Sequence, residues 1–190
     1  MKTWDELYAD KTFHPPKYPE PVVVRWVIEE LKHGARVLDL GCGSGRHLRM
    51  LNTEGFAPYG CDAHSDPSWY NFRRCSASSL PYGDGMFDAV LCWGVLYYLP
   101  IEECKEAFDE IYRVLHPGGK ALIMVKAPGD RREAGACIPQ AEHGMELLFL
   151  SEQDIRGFTE KFLFCKLEVA TQTLVNQSFT ERDYHVYLTK

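Results

Sequence analysis

Apolar positions along the chain change period several times, and each change marks an element. Between Val22 and His33, the apolar residues Val24, Val27, Ile28 and Leu31 recur at i, i+3, i+4 and i+7, with Arg25, Glu29 and Lys32 between them. That spacing predicts a core-packing helix stopped by Gly34. Val37-Leu38-Asp39-Leu40 then reads as a buried strand running into Gly41-Cys42-Gly43-Ser44-Gly45, and a new amphipathic run starts at Arg46 and continues through Leu48 and Leu51. Pro58 to Asp62 predicts a second strand, and Asp66-Pro67 a cap and first-turn proline for a short helix through Phe72. Phe87 to Trp93 is nearly continuous in apolar residues, as a strand buried on both faces should be. Pro100 opens a helix with Cys104, Phe108, Ile111 and Leu115 on one face, and Pro117-Gly118-Gly119 turns the chain into another central strand. Ser151-x-x-Asp154 is a capping box, and Cys165 to Val175 with Tyr184 to Thr189 predicts a closing antiparallel hairpin.

The glycine turn is where the pattern points to a ligand. Glycines at alternate positions let the backbone take positive φ and approach a bound molecule, while the first free N–H groups of the next helix point at the same spot. The dinucleotide fingerprint needs glycine where Arg46 stands, and no Gly-Lys-Ser/Thr follows, so neither a nicotinamide loop nor a P-loop fits. Asp62 lies about twenty residues beyond the turn, the spacing at which nucleoside-binding sheets set a carboxylate on ribose hydroxyls. The alternative for Asp62 is a solvated turn aspartate.

Composition narrows the setting. The 190 residues are 45% hydrophobic and 25% charged, which suits one compact domain spanning 1–190. The formal charge of −6, with no Lys/Arg-rich block, shows no nucleic-acid footprint, so no nucleic acid is expected. Seven cysteines, none in a C-x-x-C, suit a reducing compartment and ordinary core packing better than a disulfide framework. No apolar run approaches a membrane span, so no membrane partner and a cytoplasmic location are expected. His47, His64 and His143 share no ligand spacing with cysteines or carboxylates, so no metal is expected.

The chain resembles the class I S-adenosylmethionine-dependent methyltransferases, of the small single-domain type 11 kind. Asp39-x-Gly41-x-Gly43-x-Gly45 is similar to their first motif. Ala77-x-x-Leu80-Pro81-Tyr82 through Phe87-Asp88 resembles their third-strand segment, with Ser76 where an acid often touches adenine. Arg113-x-Leu115-x-Pro117-Gly118-Gly119 resembles their entry to the fifth strand. The resemblance implies a doubly wound, Rossmann-like α/β fold with a seven-stranded, mostly parallel sheet and an antiparallel terminal strand.

It also implies a cofactor and a division of labour. S-adenosylmethionine, leaving as S-adenosylhomocysteine, would meet Asp39 at its ammonium and the backbone of Gly41, Gly43 and Gly45, with Asp62 and Ala63 near the ribose, Ser76 and Ala77 near the adenine, and Trp93 beside the methyl. The N-terminal arm, residues 1–20, would form a lid, with Tyr8 or Tyr18 lining the acceptor pocket alongside Trp93, Tyr97 and His143. Residues 127–150 would be a loop insertion completing that pocket. Tyr97 and His143 are the candidate catalytic groups, the imidazole because its ordinary pKa near 6.5 suits a base at neutral pH. The expected acceptor is an oxygen or nitrogen of a small molecule, with the chain a monomer or homodimer. A non-catalytic cofactor-binding subunit is one alternative and a protein methyltransferase another; a nucleic-acid methyltransferase is disfavoured by charge and by Cys92-Trp93-Gly94-Val95 standing where Asn/Asp-Pro-Pro-Tyr would be.

Overall fold

The computed structural model describes residues 3–69, 71–130, 147–173 and 180–190. In chain order the elements are α1 (Trp4–Ala9), α2 (Pro21–Glu30), β1 (Arg36–Leu40), α3 (Arg46–Thr53), β2 (Ala57–Asp62), β3 (Phe72–Arg74) and β4 (Phe87–Trp93), followed by α4 (Ile101–Val114), β5 (Leu115–Lys126), α5 (Glu152–Phe158), β6 (Phe164–Thr173) and β7 (Thr180–Thr189). The seven strands form one sheet in the order β3-β2-β1-β4-β5-β7-β6. Strands β1 to β5 pair in parallel, and β7 runs antiparallel to both β5 and β6. This is the mostly parallel, doubly wound arrangement expected, with the order reversing at β1 and β4, where such sheets open a crevice. Among the described residues, no helix is long and apolar enough to cross a membrane.

Strand parity divides the core between the two faces of the sheet. Val37, Ala89, Leu91 and Leu122 meet Val23, Trp26 and Val27 of α2 on one face. Leu38, Leu40, Val90, Cys92 and Ile123 meet Cys104, Phe108 and Ile111 of α4 on the other. The α2 stripe differs from the expected one: Ile28 is 59% exposed, and Trp26 is buried instead. Turning the helix by one position hides the larger indole, which removes more apolar area from water than Ile would.

Two sequence expectations fail around β3. The short helix from Asp66 to Phe72 does not form. Ser68 adopts φ of +54°, a left-handed conformation that cannot continue a helix, and Asp66 spends its carboxylate on the Ser68 amide at 2.8 Å. Phe72–Arg74 is instead the edge strand, in register with Gly60–Asp62. The segment from Cys75 to Met86, expected to hold the third strand, is a loop with a Ser76–Ser79 bridge.

That loop is fixed from α4. Arg113 donates to both carboxylate oxygens of Glu110 (2.6 and 2.8 Å), to the Tyr82 and Leu80 carbonyls (2.7 and 3.0 Å) and to Asp84 (2.8 Å), while Glu110 accepts from the Leu80 amide at 2.6 Å. The Arg113 hydrogen bond, ahead of the other influences that lower it, holds the Glu110 carboxyl below its ordinary 4.5. Arg113→Ala leaves the two carbonyls short of a donor and is expected to cost about 2 kcal/mol in urea denaturation. Glu110 contributes stability above pH 4.5 that is lost as the pH falls through its lower folded value. The acid-side fall in stability should therefore be shallower in Arg113→Ala than in the parent when both are followed by urea melts across pH 3 to 6.

Candidate active site

The turn after β1 is built on three left-handed glycines, Gly41, Gly43 and Gly45, with φ of +72°, +52° and +78°. Gly41 also has no room for a side chain, since a Cβ there would lie 2.0 Å from Val95 Cγ2. The turn is pinned to the end of β2. Gly41 and Cys42 donate their amides to the Cys61 carbonyl (2.7 and 3.0 Å), and Gly43 donates to Asp62 Oδ2 at 2.9 Å. Asp62 Oδ1 accepts from the His64 and Ser65 amides, each at 2.8 Å, and the Ser65 hydroxyl returns to the Gly43 carbonyl at 2.8 Å. Asp62 is thus a brace between two loops rather than a free turn carboxylate.

Asp39 stands beneath the turn and is 1% exposed. Its Oδ2 is the one buried side-chain oxygen or nitrogen among the described residues without a hydrogen-bond partner. Its Oδ1 lies 3.7 Å from Nδ1 of the buried His47, whose Nε2 accepts from the Glu20 amide at 3.4 Å. A buried carboxylate oxygen left unpaired costs the fold its desolvation penalty, so it is a place for a positively charged donor.

Above the turn lies a cleft of about 180 Å³. Tyr8, Gly41, Asp62, Ala63, Ser76 and Ala77 all line it. Burial first, and then the Asp62 charge, pushes the Tyr8 phenol up to about 12, so it stays a neutral donor. Trp4 and Tyr98 close the cleft, their rings edge to face at 5.0 Å, and Val95 and Leu99 complete its wall. Sequence reasoning missed these four. The signal for Trp4 was available, since α1 opens on the Thr3–Glu6 capping box and places Trp4 and Tyr8 one turn apart.

Other expected site residues go elsewhere. Trp93 lies on the α2 face and packs on His185, with ring centroids 4.9 Å apart, so it does not line the cleft. Tyr97 is buried in a 3-10 turn, Leu96–Tyr98, with the Lys126 ammonium 5.0 Å above its ring. Lys126 is in turn paired to Asp183 at 2.8 Å. Tyr18 is 83% exposed and lines no part of the cleft. His143 lies outside the described residues, as does most of the 127–150 segment. Cys61 and Cys75, expected to be ordinary thiols, are joined by a disulfide with Cα atoms 5.9 Å apart, and both border the cleft. Among the described residues, no group of three or more His, Cys, Asp or Glu could hold a metal.

Residues 38–123 match the model of a methyltransferase domain. The fold agrees: a methyltransferase from Archaeoglobus fulgidus superposes with a TM-score of 0.70 at 18% identity, covering 89% of this chain and 92% of that one. Residues 38–123 thus carry the sequence pattern of a methyltransferase domain on the fold of S-adenosylmethionine-dependent methyltransferases. Magnesium protoporphyrin IX methyltransferase from Synechocystis, with S-adenosylmethionine bound, superposes at a TM-score of 0.63 with 18% identity, over 89% of this chain and 76% of its own.

Curated relatives correct the expected partner. The Xenopus tropicalis tRNA (carboxymethyluridine(34)-5-O)-methyltransferase alkbh8 is 33% identical over 135 residues, which is 66% of this chain and 20% of that protein. The Arabidopsis thaliana tRNA (carboxymethyluridine(34)-5-O)-methyltransferase is 38% identical over 111 residues, 53% of this chain and 26% of that one. This chain therefore spans about a quarter or less of these relatives. Both relatives are named for methylating a tRNA nucleoside, which overturns the expectation of no nucleic acid. Net charge is a poor guide on this point because it averages over the whole surface, whereas a nucleic acid responds to local cations.

Gly41→Ala should lower the melting temperature, because it combines a strained φ with a Cβ only 2.0 Å from Val95 Cγ2. The expected cost is about 2 kcal/mol or more.

Proposed function

We propose that this chain is an S-adenosylmethionine-dependent methyltransferase acting on an RNA nucleoside. The observation that carries the cofactor half is the unpaired, buried Oδ2 of Asp39 beneath three left-handed glycines. Asp39 would receive the methionine ammonium, directly or through a water. Gly41, Gly43 and Gly45 would let the backbone come within contact distance, Asp62 and Ala63 would border the ribose, and Ser76 and Ala77 the adenine. The Asp62 brace leaves one acceptor site, on Oδ2, for a ribose hydroxyl, since an ionised carboxylate offers about four sites and three are used, two on Oδ1 and one on Oδ2.

When bound, the cofactor supplies an electrophilic methyl on a sulfonium with a good leaving group. What the protein adds is alignment and exclusion of water. Trp4, Tyr8 and Tyr98 wall the cleft against solvent, and Tyr8 stays protonated there.

The RNA half rests on the tRNA-methylating relatives and on where the arm places its cations. Pro16 and Tyr18 carbonyls accept from the Ser44 hydroxyl at 3.5 Å and from Arg46 at 3.2 Å, so the exposed Lys17 between them is held against the glycine turn. Exposed Lys11 and His14 stand on the same arm, next to the cleft-lining helix. Phosphates approaching the mouth would meet these residues rather than the acidic remainder.

Asp39→Asn separates the cofactor role from a structural one. It removes a buried carboxylate whose Oδ2 has no partner, so thermal stability should change little, while calorimetric affinity for S-adenosylmethionine and S-adenosylhomocysteine should fall at least tenfold, about 1.4 kcal/mol. Equal affinity in both proteins would end the assignment. The acceptor is tested by incubating the parent chain with methyl-labelled cofactor and, separately, total tRNA, protein and a small-molecule extract. Label in nucleosides of digested tRNA is the expected result, and label confined to the extract would overturn it.

A further inference from the structure

The last strand of the sheet ends in an edge with the marks of a pairing surface. Strand β6 is ten residues long, about twice the usual strand, and pairs only with β7 among the described residues. Sheets protect such edges with prolines, bulges, short strands or unpaired lysines. Phe164–Thr173 contains no proline or glycine, and its register with β7 runs unbroken over all ten positions. Its single lysine, Lys166, is neutralised by Glu168 at 2.6 Å. A long, straight edge with unprotected backbone donors and acceptors is therefore open to a strand from another chain.

Exposed apolar residues concentrate at the same edge. Of the six large hydrophobic residues exposed among the described residues, three are Leu163, Phe164 and Val169, at 86%, 52% and 52%. Val169 extends the apolar row that Cys165 and Leu167 begin on the α4 face, where those two pack on the core. Val169 lies beyond what the described residues cover.

The residue pattern says what would cover it. Antiparallel pairing of β6 with a second β6 about a two-fold axis at Leu167 sets residues whose numbers lie equally either side of 167 opposite each other. Lys166 then faces Glu168 of the partner subunit, and Glu168 faces Lys166 of the partner subunit, so two charge pairs form on one face. On the other face, Val169 lies opposite Cys165 of the partner subunit, and the two Leu167 side chains meet at the axis. Cross-strand pairs of opposite charge and of apolar side chains both favour this register, and moving the axis by one residue, which slides the strands by two, would bring like charges together: Lys166 opposite Lys166, or Glu168 opposite Glu168. A self-complementary patch of this kind is what a two-fold interface requires.

We propose that two copies of this chain associate edge to edge through β6, in antiparallel register centred on Leu167, to make one continuous sheet across the dimer. The active-site clefts, at the β1, β2 and β4 ends, lie on the far side of β5 and β7 from this edge, so both stay open in the dimer.

Light scattering after size exclusion, over a dilution series of the full chain, tests it. The parent should run at twice its 21.8 kDa mass. Lys166→Glu and Glu168→Lys should each weaken association at least tenfold, and the double swap, Lys166→Glu with Glu168→Lys, should restore it. Loss of the Lys166–Glu168 pair within one chain would alter stability but leave the mass unchanged, so mass is the deciding readout. Val169→Cys supplies a second measurement that does not depend on charge: oxidation by diamide, which takes up the two protons and two electrons of the thiols, should join it to Cys165 of the partner subunit. That cross-link should disappear when Cys165→Ser is added. A parent that stays at 21.8 kDa throughout, or a dimer indifferent to the charge variants and giving no Cys165-dependent cross-link, would overturn the proposal.

Discussion

The carboxylate of Asp62 is the contact on which the cleft depends. Three backbone amides, those of Gly43, His64 and Ser65, end on its two oxygens at 2.8 to 2.9 Å. Hydrogen bonds to an ionised acceptor are about twice as strong as neutral ones, and these three span two loops that share no other side chain as acceptor. The glycine turn can therefore hold its left-handed φ values without a bulky residue to wedge it. Asp62 organises the cleft without a ligand, and on the proposed reading the same carboxylate would serve folding and ribose binding alike. The two roles divide by geometry: an amide side chain keeps one oxygen for His64 and Ser65 but presents N–H to Gly43, which breaks only the link to the turn.

A second restraint works from the opposite side of the cleft. Arg113 and Glu110, on the last turns of α4, hold the 80–84 loop through main-chain contacts, and the Cys61–Cys75 disulfide ties the start of the same loop to β2. Ser76 and Ala77 lie between these anchors. The Ser76–Ala77 side of the cleft, which the proposed reading sets beside the adenine, is thus positioned by backbone clamps rather than by a long polar side chain. This suits a chain with serine where an acid is common, because a wall of fixed backbone and small side chains needs no carboxylate to keep its shape.

Much of this architecture was legible, for identifiable reasons. Strand β4 runs from Phe87 to Trp93, the limits its apolar run implies, because a strand buried on both faces leaves a continuous signal. The capping box at Ser151 and the glycine turn were equally plain, being set by local chemistry. Strand β3 was not: Phe72-Arg73-Arg74 has one apolar side chain, and its strand state comes from the ladder with β2, a tertiary contact with no local trace. Trp93 was misplaced by neglect of parity. Ala89 and Leu91 face α2, so Trp93 must as well, and the cleft lies toward the other face. Between Tyr97 and Tyr98, which lie adjacent in a tight turn, the sequence offered no means to choose.

Cleft size raises the last question of how the site works. About 180 Å³ is below the roughly 300 to 1,000 Å³ of pockets that enclose a small ligand. The deficit lies on the arm side, where the Tyr8 hydroxyl comes within 3.1 Å of where a Cβ on Gly43 would stand. α1 has six residues and one buried side chain, Leu7, and among its contacts are the Trp4–Tyr98 and Tyr8–Phe13 ring pairs and the Asp5–His64 pair at 3.2 Å. A helix of under two turns with one buried side chain opens at lower free energy than the sheet beneath it. On the proposed reading, a nucleoside-sized cofactor would enter by displacing α1 from a floor formed by the glycine turn and Asp62, and the arm that presents Lys11 and Lys17 to an RNA would be the same element that borders the cofactor.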